Sequence, residues 1–164
     1  GTFLKLCSYM VKDIESCQKM EMDTGKGILL TGPVGCGKTS MMRLVRHLVP
    51  HKRNYEIIPS RNITFAFNHI GYKIIEDYGN GRFYCFDDLG VEPMGRYFGD
   101  DCNVMGEVLV SRHELFQRTK IPTHITTNLN AEELEERYGK RVRSRMRQMF
   151  NLISFDKDTK DKRI

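Results

Sequence analysis

The sequence predicts an α/β domain of three layers, built on a largely parallel five-stranded sheet. Three observations carry this. Short apolar runs alternate with segments of helical periodicity along the chain, and parallel strands need such helical crossovers. One apolar run, Ile28-Leu29-Leu30, leads into a glycine-rich turn and then a helix. Another, Phe83 to Phe86, stops at two consecutive carboxylates, Asp87 and Asp88. In open sheets of this kind, ligands bind at the carboxyl ends of the strands.

From the amino end, Phe3, Cys7, Met10, Ile14 and Cys17 recur at helical spacing, with Leu6 and Val11 alongside. The pattern predicts one amphipathic helix over residues 2–20. Residues 1–22 are assigned to that helix and 23–164 to the α/β core. Polar residues and glycines from Glu21 to Gly27 precede the first strand, which ends at Thr31-Gly32. Met41, Met42, Leu44, Val45 and Leu48 suit a helix closed by Pro50. Residues 55–59 read as a second strand. Residues 65–78 read as a helix with Ile70, Ile74 and Ile75 inward, ended by Gly79. Residues 82–86 form a third strand. Residues 90–101, with Gly90, Pro93, Gly95 and Gly99, read as a loop. Val104, Met105, Val108, Leu109, Leu115 and Phe116 set one apolar stripe on a helix. Residues 123–127 are a fourth strand. Asn130 is placed to cap a short helix containing Glu132 to Tyr138. Val142, Met146 and Met149 stripe a further helix, and Leu152 to Phe155 read as a last strand. No separate helical lid and no internal repeat is expected.

Composition narrows the class. The 164 residues are one domain's worth, and 40% apolar with 29% charged residues excludes a disordered chain. No apolar run approaches the length of a membrane span. The five cysteines (Cys7, Cys17, Cys36, Cys85, Cys102) are scattered and include no Cys-x-x-Cys. That argues against a disulfide framework or zinc ribbon and fits a reducing, cytoplasmic setting. The chain begins Gly1-Thr2 without methionine, which reads as a piece of a longer protein. The net charge is +5, and Arg137, Lys140, Arg141, Arg143, Arg145 and Arg147 exceed it by one. The basic character is therefore local to residues 137–147.

The glycine-rich turn has a specific form. Gly32-Pro33-Val34-Gly35-Cys36-Gly37-Lys38-Thr39, followed by Ser40, fits G-x-x-x-x-G-K-[ST] at every fixed position, between a strand and a helix. Glycines let backbone N–H groups converge on phosphate oxygens, and the helix N-terminus adds positive potential. Lys38 is expected to reach the β- and γ-phosphates of ATP, and the Thr39 hydroxyl to ligate Mg²⁺. Cys36 reads as a neutral filler of the loop. Asp87, at the end of its strand, is expected to hold Mg²⁺ directly or through water. Asp88 is expected to polarise the attacking water as a general base. Asn128, at the end of the fourth strand, is placed to position that water or sense the γ-phosphate; the alternative is a helix cap. The guanine-reading Asn-Lys-x-Asp is absent, as is Leu-Ser-Gly-Gly-Gln, and His113-Glu114 lacks the second histidine of a zinc protease.

Four segments together resemble one family. They are Lys26 to Gly32 leading into the phosphate loop, Asp87-Asp88-Leu89-Gly90 with Glu92, Thr127-Asn128-Leu129, and Arg141-x-x-x-Arg145-Met146-Arg147. They look like the AAA+ ATPases of the DnaC/DnaI/IstB group, bacterial helicase loaders and transposition-associated ATPases. The resemblance runs from about Lys26 to Arg163. It implies a P-loop NTPase core of AAA+ type, with Lys38 and Thr39 as Walker A, Asp87 and Asp88 as Walker B, and Asn128 as sensor 1. It also implies Arg145 as an arginine finger and Arg163 as a sensor 2 residue. Asp88 stands where most AAA+ proteins carry Glu, so hydrolysis is expected to be slow unless the protein assembles. The family's partner-binding N-terminal domain has no counterpart here beyond one helix.

The resemblance implies an ATP-hydrolysing switch in DNA replication, a helicase loader first and a transposase-assisting ATPase second. A nucleotide-gated binding module without hydrolysis is a third possibility. The expected partners are a second copy or another AAA+ protein, a replicative helicase or a transposase, and no membrane. Lys140, Arg143 and Arg147 are expected to meet single-stranded DNA phosphates, giving salt-dependent affinity. The plainer reading of the cluster is a solvated helix face.

Overall fold

A computed structural model of the chain describes residues 1–155. The elements in order are α1 (Thr2–Met10), α2 (Ile14–Lys19), β1 (Gly27–Thr31), α3 (Lys38–Val45), β2 (Glu56–Pro59), α4 (Ser60–Ile70), α5 (Lys73–Tyr78), β3 (Tyr84–Leu89), β4 (Gly95–Tyr97), β5 (Asp100–Cys102), α6 (Val104–Thr119), β6 (His124–Thr127), α7 (Ala131–Met149) and β7 (Phe150–Ser154). Strands β2-β3-β6-β1-β7 lie side by side in that order, and every pairing is parallel. Among the described residues, no helix is long and apolar enough to cross a membrane.

Strand periodicity assigns the two faces. Successive side chains point to opposite sides of a sheet. Leu29, Tyr84, Phe86 and Ile125 turn to one face, against Ile63 and Phe67 of α4, Val108 and Leu109 of α6, and Met146 and Met149 of α7. Ile28, Leu30, Cys85 and Ile153 turn to the other, against Leu6, Tyr9 and Met10 of α1 and Met42 and Val45 of α3. Burial on both faces is why these strands are apolar throughout rather than alternating.

The helical reading of residues 2–20 is corrected. Two helices replace one, separated at Val11–Asp13, where Asp13 accepts from Ser16 N and caps α2. Of the expected stripe, Met10 and Cys17 are buried and Cys7 is partly so, with Leu6 and Tyr9 buried beside them, whereas Phe3, Val11 and Ile14 are exposed. The helix expected over 65–78 is also two. It begins earlier, at Ser60, and breaks at Gly71, against which the Tyr97 ring packs; Ile70 is exposed. The loop expected over 90–101 contains the small antiparallel ribbon β4–β5. Asn130 does cap α7, in a reciprocal box with Glu133. The helix then bends at Gly139, which separates its two apolar stripes.

Two buried polar side chains fix the connectors before β3 and β6. Arg112 is fully buried and faces no carboxylate among the described residues. It donates to Thr123 Oγ1 at 2.7 Å and to the carbonyls of Asn80 at 2.6 Å, Arg82 at 2.9 Å, Tyr78 at 3.3 Å and Pro122 at 3.4 Å. Five hydrogen bonds in place of water offset the desolvation of the guanidinium. His124 Nδ1 accepts from the Ile28 N–H at 3.1 Å, and its ring meets Tyr9 and Tyr55 edge-on.

Burial, then the charges of Arg112 and Lys12, hold the His124 pKa down at about 3, against an ordinary 6.5. The unfolded chain therefore takes up this proton below about pH 6.5, while the native chain does so only near pH 3. The stability this histidine contributes is fully present above pH 6.5 and is lost as the pH falls toward 3, by up to about 1.4 kcal/mol per pH unit. A His124→Asn variant keeps an acceptor for Ile28 but cannot titrate. Urea midpoints measured from pH 7 to pH 4 should fall less steeply for this variant than for the parent; parallel curves would remove His124 from the account.

Candidate functional site

The loop between β1 and α3 forms one wall of a pocket of about 290 Å³, lined by Val34, Gly35, Gly37, Lys38, Thr39, Ser40, Asp88, Val91 and Asn128. Gly37 caps α3 with φ 94°, in the left-handed region that a Cβ disfavours, and from there the chain enters the helix with its N–H groups facing the pocket end. Gly32 packs closely on Cys36 Sγ and the Phe155 side chain. Cys36 is buried and contacts Lys38, which supports the reading of it as filler.

Lys38 is buried. Its Nζ donates to the carbonyls of Gly32 at 2.8 Å and Pro33 at 2.9 Å and to Asn128 Oδ1 at 2.6 Å. The helix-cap alternative for Asn128 falls away, because Asn130 is the cap and the Asn128 amide faces the lysine. The Thr39 hydroxyl lies 2.9 and 3.1 Å from the two carboxylate oxygens of Asp87.

Asp87 is buried at the end of β3. Its Oδ1 also accepts from Thr126 Oγ1 at 2.6 Å, and the same hydroxyl oxygen accepts from Asp88 N at 3.0 Å. Asp88 sits at φ 52°, left-handed backbone that non-glycine residues adopt at a cost. The β3–β6 register shifts between Phe86 and Leu89, where this turn is made. Asp88 is half-buried at the pocket wall. Burial first, and then the charge of Asp87, raise its pKa above the ordinary carboxylate value; Lys38 acts in the opposite sense. A raised pKa makes a carboxylate a better proton acceptor.

Hard oxygen donors of this kind suit Mg²⁺. Thr39 Oγ1 and the Asp87 carboxylate are adjacent. No cluster of three His, Cys, Asp or Glu side chains capable of holding a metal alone occurs among the described residues. A magnesium site completed by phosphate oxygens and water needs only that pair, so the residues present fit the ion.

Three features of the site were not anticipated. Thr126 anchors both acids, and Thr127 Oγ1 donates to Leu89 O at 2.6 Å. Paired threonines at the end of a central strand, where apolar residues are expected, were the available signal. Glu92, also buried, accepts from Gly90 N at 2.7 Å and from the Tyr138 hydroxyl, while the Arg137 guanidinium donates to its carbonyl. The turn after β3 is thereby tied to α7.

The basic cluster divides differently from expectation. Arg143, expected on a DNA-facing surface, is buried, with no partner for its Nε among the described residues. Met146 and Met149 draw its face of α7 toward the sheet. Lys140, Arg141 and Arg147 are exposed. Arg145 lies outside the pocket of its own chain and donates to Arg141 O at 3.3 Å. Arg163 lies outside the described residues.

Neither a family model nor a curated protein sequence matches the chain. Solved structures do. A DnaC helicase loader superposes with a TM-score of 0.61 at 21% identity, over 80% of this chain and 79% of that one. A DnaI structure gives 0.61 at 21% identity, over 89% and 84%. AMPPCP-bound DnaA from Aquifex aeolicus gives 0.57 at 16% identity, over 92% of this chain and 50% of that one. The chain thus shares the α/β fold of these structures, with the parallel five-stranded sheet expected from the sequence.

The turn after β3 leaves no space for a side chain at Gly90. Its φ is 105°, and an added Cβ would come within 2.5 Å of Leu129 Cδ1. Gly90→Ala should cost about 1–3 kcal/mol in chemical denaturation. Unchanged stability would show that this turn relaxes freely.

Proposed function

We propose that this chain binds Mg·ATP between the phosphate loop and the ends of β3 and β6, hydrolyses it, and acts as a nucleotide-driven switch in DNA replication of the helicase-loading kind. The observation that carries the reading is the convergence in one pocket of Lys38, Thr39, Asp88 and Asn128, with Asp87 behind Thr39. Lys38 would exchange its carbonyl partners for phosphate oxygens while Asn128 stays beside it. Thr39 and Asp87 would hold magnesium, which when bound neutralises phosphate charge. Asp88 would accept the proton of the attacking water. Likeness of fold to a helicase loader supports the cellular role, and the exposed Lys140, Arg141 and Arg147 suit contact with single-stranded DNA.

Two substitutions separate binding from chemistry. Lys38→Ala should abolish ATP affinity in calorimetry without unfolding the chain, whereas Asp88→Asn should keep affinity within a fewfold and lower turnover by about 10²-fold or more. An Asp88→Asn protein that still turns over within a fewfold of the parent would reassign the base.

Arg145 is the natural candidate for a cation supplied to a neighbouring subunit, since it is absent from its own pocket. Such a residue acts in the transition state, so a dilute chain should bind ATP but hydrolyse it poorly. Mixing Arg145→Ala with Lys38→Ala should restore part of the lost activity, because an intact pocket can then face an intact Arg145. Co-assembly without any restoration would reject the role.

A further inference from the structure

We infer that the chain carries a second ligand site, at the amino ends of the central strands, for a small organic anion with an apolar body. A cleft of about 740 Å³ opens there, inside the range of roughly 300–1,000 Å³ usual for small-molecule sites. Part of its wall is the chain just before three adjacent strands: Gly25 before β1, Phe83 before β3 and Pro122 before β6. These strands are parallel, so the cleft lies at the opposite edge of the sheet from the phosphate loop. The end of α1 and the turn at residues 48–53 close the other side.

Three features define what fits. Met10, Val49, Phe83, Ile121 and Pro122 supply apolar surface. Lys12, Lys52, Arg53 and Lys120 bring four cations to the cleft, and no carboxylate lines it. Like charges lining one cleft repel one another. An anion between them relieves that repulsion. The third feature is His124, which is buried and lines the cleft. Its Nδ1 accepts from Ile28 N, so its proton resides on Nε2, and Nε2 has no protein partner among the described residues. That N–H is a donor which an acceptor group on a ligand can use. A ligand with a flat or acyl apolar body and one carboxylate, sulfonate or phosphate group answers all three.

The probe is naphthalene-2-carboxylate, set against its neutral isostere naphthalene-2-carboxamide, each titrated by ligand-observed NMR. The anion should bind at least tenfold more tightly than the amide, and in a separate spectrum of the ¹⁵N-labelled protein its binding should move the His124 Nε2 resonance. Lys12→Gln with Arg53→Gln should erase the tenfold preference without changing the unfolding temperature, since both side chains are exposed. Lys38→Ala, at the far edge of the sheet, should leave both affinities unchanged. Equal binding of the two probes, or no binding of either, would overturn the proposal. So would a preference that survives in the double variant, or one lost in Lys38→Ala, which would place the probe at the phosphate loop.

Discussion

The Asp87 carboxylate is the point on which the geometry of the phosphate-loop site depends. A buried charge is costly unless hydrogen bonds replace its water. Here the replacement comes from two hydroxyls on two other elements, Thr39 on α3 and Thr126 on β6. One anion therefore fixes the distance between the helix of the phosphate loop and the ends of two strands. Thr126 serves twice, since its oxygen also accepts the Asp88 N–H. The strained backbone at Asp88 is held by that bond and by the neighbouring strand, so the second acid is set at the pocket wall.

Charge is handled differently on the two sides of the pocket. Lys38 is surrounded by neutral acceptors, two carbonyls and an amide, rather than by a carboxylate in direct contact. No ion pair has to be broken for a cation satisfied in this way to meet an anion. The acids lie opposite, tied to hydroxyls. At the outer edge Glu92 is spent on structure, joining the turn after β3 to Arg137 and Tyr138. Burial of the Tyr138 hydroxyl, and then the charge of Glu92, raise the phenol above its usual pKa, so the hydroxyl stays a hydrogen-bond donor.

How much of this was legible in the sequence depends on the range of the interaction. The phosphate loop is eight consecutive residues flanked by a strand and a helix, and a local pattern suffices to find it. The alternation of strands and helices gave the layers for the same reason, each apolar run being long enough to declare itself. Thr126 and Asp87 are 39 residues apart, and no spacing rule joins them before the sheet order is known. The two helices at the amino end read as one because Cys17 continues the spacing of Met10, although Asp13 is better used as a cap than as an interior residue. Arg143 misled for a converse reason. Arginine in a basic run is usually solvated, and only the bend at Gly139 and the burial of Met146 and Met149 turn it inward.

The strand order has a consequence for how the chain is made. β1 is complete at Thr31, but its neighbours on both sides are β6 and β7, with Leu29 opposite Ile125 on one edge and Leu152 on the other. During synthesis the first strand to emerge is thus the last to be flanked. For more than 90 residues of elongation its two backbone edges have no native partner, since β2 and β3 pair with each other and not with it. Topologies of such non-local pairing fold slowly and expose unpaired edges while they do so. A ribosome-bound fragment ending before His124 is therefore a nascent chain whose phosphate loop hangs from an unpaired strand. The pocket lined by Lys38, Thr39, Asp88 and Asn128 is then completed late and all at once, when the carboxyl-terminal strands close on β1.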